Sequence, residues 1–182
     1  GGCLHDYSIT TNDMKKLAGA DVFIACGAGM EPFIGEVLRR YPVMKVATLA
    51  DGIQLIEGKG GTPADGHLWL SITNAINQVN NLGRAMEAYD PAHKKLYRAN
   101  TDTYTAKLDM LRSRMRSELA PCKGSKIITF HEAFSYFAQE FDLEIAAVVE
   151  REPGSEPSAK ELAETIDMIK AGGIRSLFSE PQ

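Results

Sequence analysis

Residues 90–121 read DPAHKKLYRANTDTYTAKLDMLRSRMRSELAP, and between Pro91 and Pro121 neither glycine nor proline interrupts them. Tyr104, Leu108, Leu111, Met115 and Leu119 recur at spacings of three and four, which lays apolar side chains along one helical face. Asp90-Pro91 opens the segment in the preferred way: an oxygen-bearing side chain to cap free amides, then a proline where a helix has no use for its N–H. At 1.5 Å per residue the helix would run roughly 40 Å, comparable to a whole small domain. That length suits a strut between two lobes.

The segments on either side alternate between strand and helix. On the N-terminal side, Thr11-Asn12-Asp13 reads as a helix start, followed by a strand over 21–26 and a turn at Gly27-Ala28-Gly29. A helix over 32–40 and a strand over 43–47 come next. Residues 57–66 are so rich in glycine that they predict a loop without core packing. Ser71 then caps a helix running to about Tyr89. On the C-terminal side come a strand over 126–130, a helix over 133–141 and a strand over 144–149. A capping box at Ser158-Ala159-Lys160-Glu161 opens the next helix, and a strand over 174–178 ends the pattern. No repeat of solenoid period occurs. The expected fold is therefore α/β: two Rossmann-like lobes with parallel sheets joined by a long rigid helix. Its expected divisions are an N-terminal lobe at 1–89, a connecting helix at 90–121 and a C-terminal lobe at 122–182.

Composition narrows the function. Apolar residues make up 44% and charged residues 24% of 182, which excludes a disordered chain. Twenty basic against 24 acidic residues leave a net charge of −4, so nothing electrostatic invites nucleic acid. The longest apolar runs, 22–26 and 145–149, fall far short of a membrane span. Cys3, Cys26 and Cys122 are odd in number and lack CxxC spacing, which supports neither a disulfide framework nor a zinc ribbon. Cys26 reads as buried filler and Cys3 as a turn residue. No signal or lipidation motif is visible.

Of four histidines, His93 falls in a charged first turn and reads as solvated. His5, His67 and His131 each lie at or just before a helix entrance, and His131 directly follows a strand. In open α/β sheets ligands collect outside the carboxyl ends of strands, so three imidazoles there would make a metal site. Three histidines and one oxygen hold Zn²⁺ tetrahedrally, each nitrogen at about 2.0–2.1 Å. A helix N-terminus at His131 would also disfavour its protonated form. Taken singly, each histidine is more often a cap or core residue than a ligand, and the long spacing is no compact zinc signature. Other motifs fail. His131-Glu132-Ala133-Phe134-Ser135 has serine where a metalloprotease has its second histidine, and Gly27-Ala28-Gly29 has Pro32 where a dinucleotide fingerprint needs glycine. There is no Walker lysine and no GxSxG elbow. Trp69, between Leu68 and Leu70, reads as core rather than as a stacking platform. Glu132 and Asp6, beside candidate ligands, are either orienting partners or simply exposed.

The chain resembles the metal-binding receptors of zinc and manganese ABC uptake systems, the ZnuA-like cluster A-I solute-binding proteins. The resemblance is carried by His5-Asp6-Tyr7, Ala20-Asp21-Val22-Phe23-Ile24 with Gly29-Met30-Glu31, and Gly66-His67-Leu68-Trp69-Leu70-Ser71. It continues through Tyr89-Asp90-Pro91, His131-Glu132-Ala133-Phe134-Ser135-Tyr136-Phe137, Glu156-Pro157-Ser158 and Phe178-Ser179-Glu180-Pro181-Gln182. It implies a non-enzymatic, monomeric receptor that holds one transition-metal ion between its lobes and delivers it to an ABC permease. Such a receptor works in the periplasm or as a lipoprotein on the outer face of the cell membrane. It further implies His5, His67 and His131 as ligands, and Zn²⁺ rather than Mn²⁺, because manganese members tend to carry a carboxylate at the third position. The pattern also implies a strand-helix-strand before His5 and an acidic fourth ligand beyond Gln182, so the chain reads as the middle of a longer receptor. Water or another chain would then complete the shell. The histidine-rich insertion of some zinc receptors is absent before His67. Two rival readings are a zinc hydrolase with Glu132 as base and a surface adhesin engaged in cell adhesion.

Overall fold

Helix α1 (Thr11–Leu17), strand β1 (Val22–Ala25), helix α2 (Ile34–Arg40) and strand β2 (Lys45–Thr48) open the chain. They belong to a computed structural model that describes residues 7–58, 64–150, 157–174 and 176–179. β1 and β2 pair in parallel from Val22 opposite Lys45 to Ala25 opposite Thr48. The cap of α1 is Thr10: its hydroxyl accepts from the Asp13 N–H, and the Asp13 carboxylate accepts from the Thr10 N–H.

Helix α3 (Ile72–Tyr89) starts where Ser71 predicts, with the Ser71 hydroxyl accepting from the Asn74 N–H at 3.1 Å. It is tied to the first sheet at its far end. The Tyr89 hydroxyl donates to the Val46 carbonyl at 2.8 Å, and the Asn81 amide donates to the Leu49 carbonyl at 2.7 Å.

The long segment folds as a 3-10 turn over Pro91–His93, helix α4 (Lys94–Leu119) and a second 3-10 turn over Ala120–Cys122. Its 26 helical residues span about 39 Å. Two expectations need correction. Asp90 does not cap the helix; its carboxylate accepts from the Tyr97 hydroxyl at 2.7 Å and meets His93 Nδ1 at 2.7 Å. Nor does the whole proposed apolar stripe lie on the packed face: Leu108, Met115 and Leu119 do, and Tyr104 and Leu111 do not. Tyr104 is 53% exposed and Leu111 is also exposed, while Tyr97, Thr101, Thr105, Leu108, Arg112, Met115 and Leu119 are half-buried.

The physical reason for that rotation is the partner helix. α4 runs antiparallel along α3, with Arg98 on Glu87, Thr101 against Gly83 and Arg112 on Thr73. Any Cβ at Gly83 would overlap the Thr101 side chain. A glycine facing a threonine brings the two backbones close and turns the bulkier Tyr104 and Leu111 outward. Gly83→Leu is expected to force the helices apart and cost about 2 kcal/mol or more, read as a lower midpoint in urea unfolding.

Strand β3 (Lys126–His131), helix α5 (Ser135–Glu140), strand β4 (Glu144–Glu150), helix α6 (Ala159–Gly172) and strand β5 (Leu177–Phe178) complete the chain. The three strands are parallel in the order β4-β3-β5, with β3 central and a register shift against β4 between Ile127 and Ile128. Ser158 and Glu161 form the expected capping box, and Gly173 ends α6 in the left-handed conformation. β5 is shorter than predicted because Ile174 still donates its N–H to Ile169 of the helix.

Fold class thus agrees with the sequence: two parallel sheets and a long helix between them in the chain. Ala25, Met30, Val37, Ala47, Leu68 and Ile72 are buried before that helix, and Ile127, Ile128, Ala133, Tyr136, Ala138, Phe141 and Ile174 after it. Cys26 is only half-buried rather than core filler, and Cys122 is exposed. No helix among the described residues is long and apolar enough to cross a membrane.

Candidate functional site

His131 is the last residue of β3, and α5 begins only at Ser135. This corrects the expected helix entrance at 133. A helix end acts on charges within its first turn, so the argument that a dipole keeps His131 neutral does not apply. What places His131 is the strand: it sits at the carboxyl end of the central strand, the position where an open parallel sheet presents ligand-binding groups.

His67 reaches the same place from the other sheet's side of the molecule. Its ring centroid lies 5.2 Å from that of His131, the two planes standing at 85°. His67 precedes the 3-10 turn Leu68–Leu70 that leads into α3, and it is 8% exposed. His131 is half-buried. Two of the three singled-out histidines therefore come together. The third, His5, lies outside the described residues, as do Cys3 and Asp6. His93 is exposed and paired with Asp90, away from this cluster. Among the described residues, no three His, Cys, Asp or Glu side chains gather closely enough to hold an ion by themselves.

The residue that orients His67 was missed from the sequence. Asp65 Oδ1 accepts from the His67 backbone N–H at 2.9 Å and lies 2.8 Å from His67 Nδ1. Burial pushes the Asp65 carboxyl upward, but its hydrogen bonds with the His67 ring and backbone outweigh this and hold it below the usual carboxylate range. An ionised carboxylate can only accept, so the contact selects the form with hydrogen on Nδ1, in which a neutral ring has its lone pair on Nε2. A carboxylate behind an imidazole fixes tautomer and ring orientation in this way in metal sites. The available signal was an aspartate two residues before a histidine, the spacing at which an Asx side chain meets the backbone. Glu132, the sequence candidate for an orienting role, is exposed.

The end of the glycine-rich stretch is packed, contrary to its composition. The Asp65 N–H donates to the Ile56 carbonyl at 3.0 Å, closing the loop at its base. The Tyr136 hydroxyl then accepts from the Ile56 N–H at 2.9 Å and donates to the Asp65 carbonyl at 2.8 Å. Gly66 is buried where a Cβ would overlap the Met30 thioether. Met30 is held there by the turn after β1, where Gly27, Ala28 and Gly29 all take positive φ and the Glu31 carboxylate accepts from the Cys26 and Gly27 N–H groups. Trp69, expected in the core, is 41% exposed with its ring centroid 5.4 Å from that of His67. In a single 3-10 turn Leu68 takes the inward position and is fully buried, which leaves the indole at the rim.

Glu140 is the second residue missed from the sequence, and it carries no signal there. Its carboxylate accepts from the Ser71 hydroxyl at 2.6 Å, the Thr73 hydroxyl at 2.7 Å and the Thr73 N–H at 3.2 Å, with Arg116 at 3.6 Å. It joins α5, the start of α3 and the end of α4 at one buried point.

Two parallel sheets, a long intervening helix and paired imidazoles at a strand's carboxyl end define a helix-linked α/β architecture with a candidate metal site. The chain belongs to the ZnuA family, zinc-uptake complex component A, periplasmic, which it matches over residues 1–182. A Treponema pallidum protein provisionally named as metal-binding is 30% identical over 193 residues, spanning 97% of this chain and 61% of its own. The iron-binding protein YfeA of Yersinia pestis is 26% identical over 185 residues, spanning 99% and 60%. The crystal structure of ZnuA superposes with a TM-score of 0.85 at 29% identity, over 97% of this chain and 68% of that one. That of FpvC from Pseudomonas aeruginosa in complex with Ni²⁺ gives 0.83 at 32% identity, over 98% and 66%, and FpvC is also known with Mn²⁺. The chain spans about 60% of the length of these curated relatives. The family and its named members are binding proteins rather than enzymes, which removes the hydrolase reading. Their shared ligand is a metal ion, with iron, nickel and manganese named beside zinc.

Proposed function

We propose that the chain is the binding core of an extracytoplasmic receptor that captures a transition-metal ion, Zn²⁺ ahead of Mn²⁺, and hands it to an ABC permease. His67 and His131 are ligands in this reading, with His5 as the third. Residues 1–89 and 122–182 form its lobes and 90–121 the connector; the receptor is a monomer, periplasmic or lipid-anchored.

The observation that carries the reading is the spacing of the two rings. With metal–nitrogen distances of about 2.0–2.1 Å and a tetrahedral angle, two imidazoles on one ion have centroids about 5 Å apart. The His67 and His131 centroids are 5.2 Å apart. Asp65 behind His67 supports the same chemistry, since a histidine fixed as the Nδ1–H tautomer offers Nε2 to a cation. Nitrogen donors favour Zn²⁺ over Mn²⁺, which prefers oxygen; the general order of affinities would also admit Ni²⁺ and Cu²⁺.

Crystals grown with Zn²⁺ or with Mn²⁺, measured on both sides of each metal's absorption edge, test the site. The expected anomalous peak lies about 2.1 Å from a ring nitrogen of both His67 and His131; a peak bound elsewhere, with these rings uncoordinated, overturns the assignment. Free imidazole takes up a proton with a pKa of about 6.5, so protons compete with the cargo. Zn²⁺ affinity is therefore expected to hold from pH 8 to 7 and to fall steeply below about pH 6, as measured by competition with a chromophoric chelator.

A further inference from the structure

Helix α5 begins four residues after His131 and carries Tyr136 and Glu140, spaced by four residues and so on one face of the helix. Both reach across to the chain segment that holds His67, and they grip it on opposite sides. The Tyr136 hydroxyl donates to the carbonyl of Asp65 and accepts from the N–H of Ile56, upstream of His67. Glu140 accepts from Ser71 and Thr73, downstream of it. These are contacts between residues 67 to 80 positions apart in sequence, and all their polar atoms on α5 are part-buried. The Asp65 that Tyr136 holds by its carbonyl is the same residue whose carboxylate orients the His67 ring.

The geometry points to α5 as a two-point clamp that fixes His67 relative to His131, with Tyr136 and Glu140 as positioning residues for metal capture. The inference rests on the metal-site reading above. His131 is carried by the strand that leads into α5, and His67 by the segment α5 grips, so the distance between the rings is set through this short helix. A ligand pair already at bonding separation before the ion arrives needs no reordering on binding. Loosening one grip leaves both ligands present but lets their separation vary, which shows first as faster release of the ion.

Tyr136→Phe keeps the ring packing and removes both hydrogen bonds. Two readouts test it in the intact chain: acrylamide quenching of Trp69, the only tryptophan, without metal, and Zn²⁺ affinity by chelator competition. Quenching is expected to rise because Trp69 lies within the gripped segment. Affinity is expected to fall about 10-fold, the scale typical of outer partners of a metal ligand. In a His67→Ala background Tyr136→Phe should cause no further fall, because its effect runs through His67. Unchanged quenching overturns the clamp. Unchanged affinity, or an equal fall in both backgrounds, overturns its role in positioning the cargo. A parent chain that shows raised quenching on substitution but binds no Zn²⁺ upholds the clamp and rejects the receptor reading instead.

Discussion

Replacing His67 with alanine is expected to weaken Zn²⁺ binding by more than about 100-fold, beyond the 10–100-fold loss that an outer partner produces. The substitution removes one of the two imidazole donors that the structure brings together. Asp65→Ala should fall within about 10–100-fold: the imidazole remains, but nothing selects its tautomer or holds its plane. His93→Ala should bind as the parent does, since that ring is exposed and paired with Asp90. Isothermal titration of the variants, with thermal unfolding of each metal-free protein alongside, separates lost ligation from lost fold. Parent-like affinity in His67→Ala, with the fold intact, removes this histidine from the site.

Glu140→Ala is expected to cost about 3 kcal/mol of stability at pH 7. The side chain is 4% exposed, so its removal strands the hydroxyls of Ser71 and Thr73 and leaves the N-terminus of α3 without its anchor. Burial pushes the Glu140 carboxyl up, yet the hydrogen bonds from Ser71 and Thr73 and the charge of Arg116 together hold it below its ordinary value of 4.5. A carboxyl depressed by folding stabilises the native state fully above its unfolded pKa and loses that contribution as pH falls through its folded one. The parent should therefore lose stability below about pH 4.5. In Glu140→Ala that part of the acid limb should be absent. Urea unfolding at pH 7, 5.5 and 4 measures both effects, and a variant as stable as the parent at pH 7 would show the node to be energetically idle.

The elements legible in advance are those set by neighbours in sequence. The uninterrupted run from 91 to 121, the serines at 71 and 158 and the alternation of strand and helix all follow from local backbone and capping rules, and the structure reproduces them within a few residues. The errors are equally local in origin. Asp90 carried the composition of a cap but gave its carboxylate to Tyr97 and His93. The glycines of 57–66 suggested slackness, yet the loop's base is held by Tyr136. The sequence places His131 one residue past its strand, at or just before a helix entrance, while the pairing of β3 extends through it.

By itself the sequence determined the class of fold, the parallel sheets, the long helix and the histidines worth testing, because those depend on periodicity, caps and residue chemistry. Only the tertiary structure decided which face of α4 packs, that His67 stands beside His131, and that Asp65, Tyr136 and Glu140 support them. Each of those outcomes depends on a partner, some of them more than 60 positions away, and hydrogen bonds and close packing are short-ranged forces that act only once folding has brought the partners within a few ångströms.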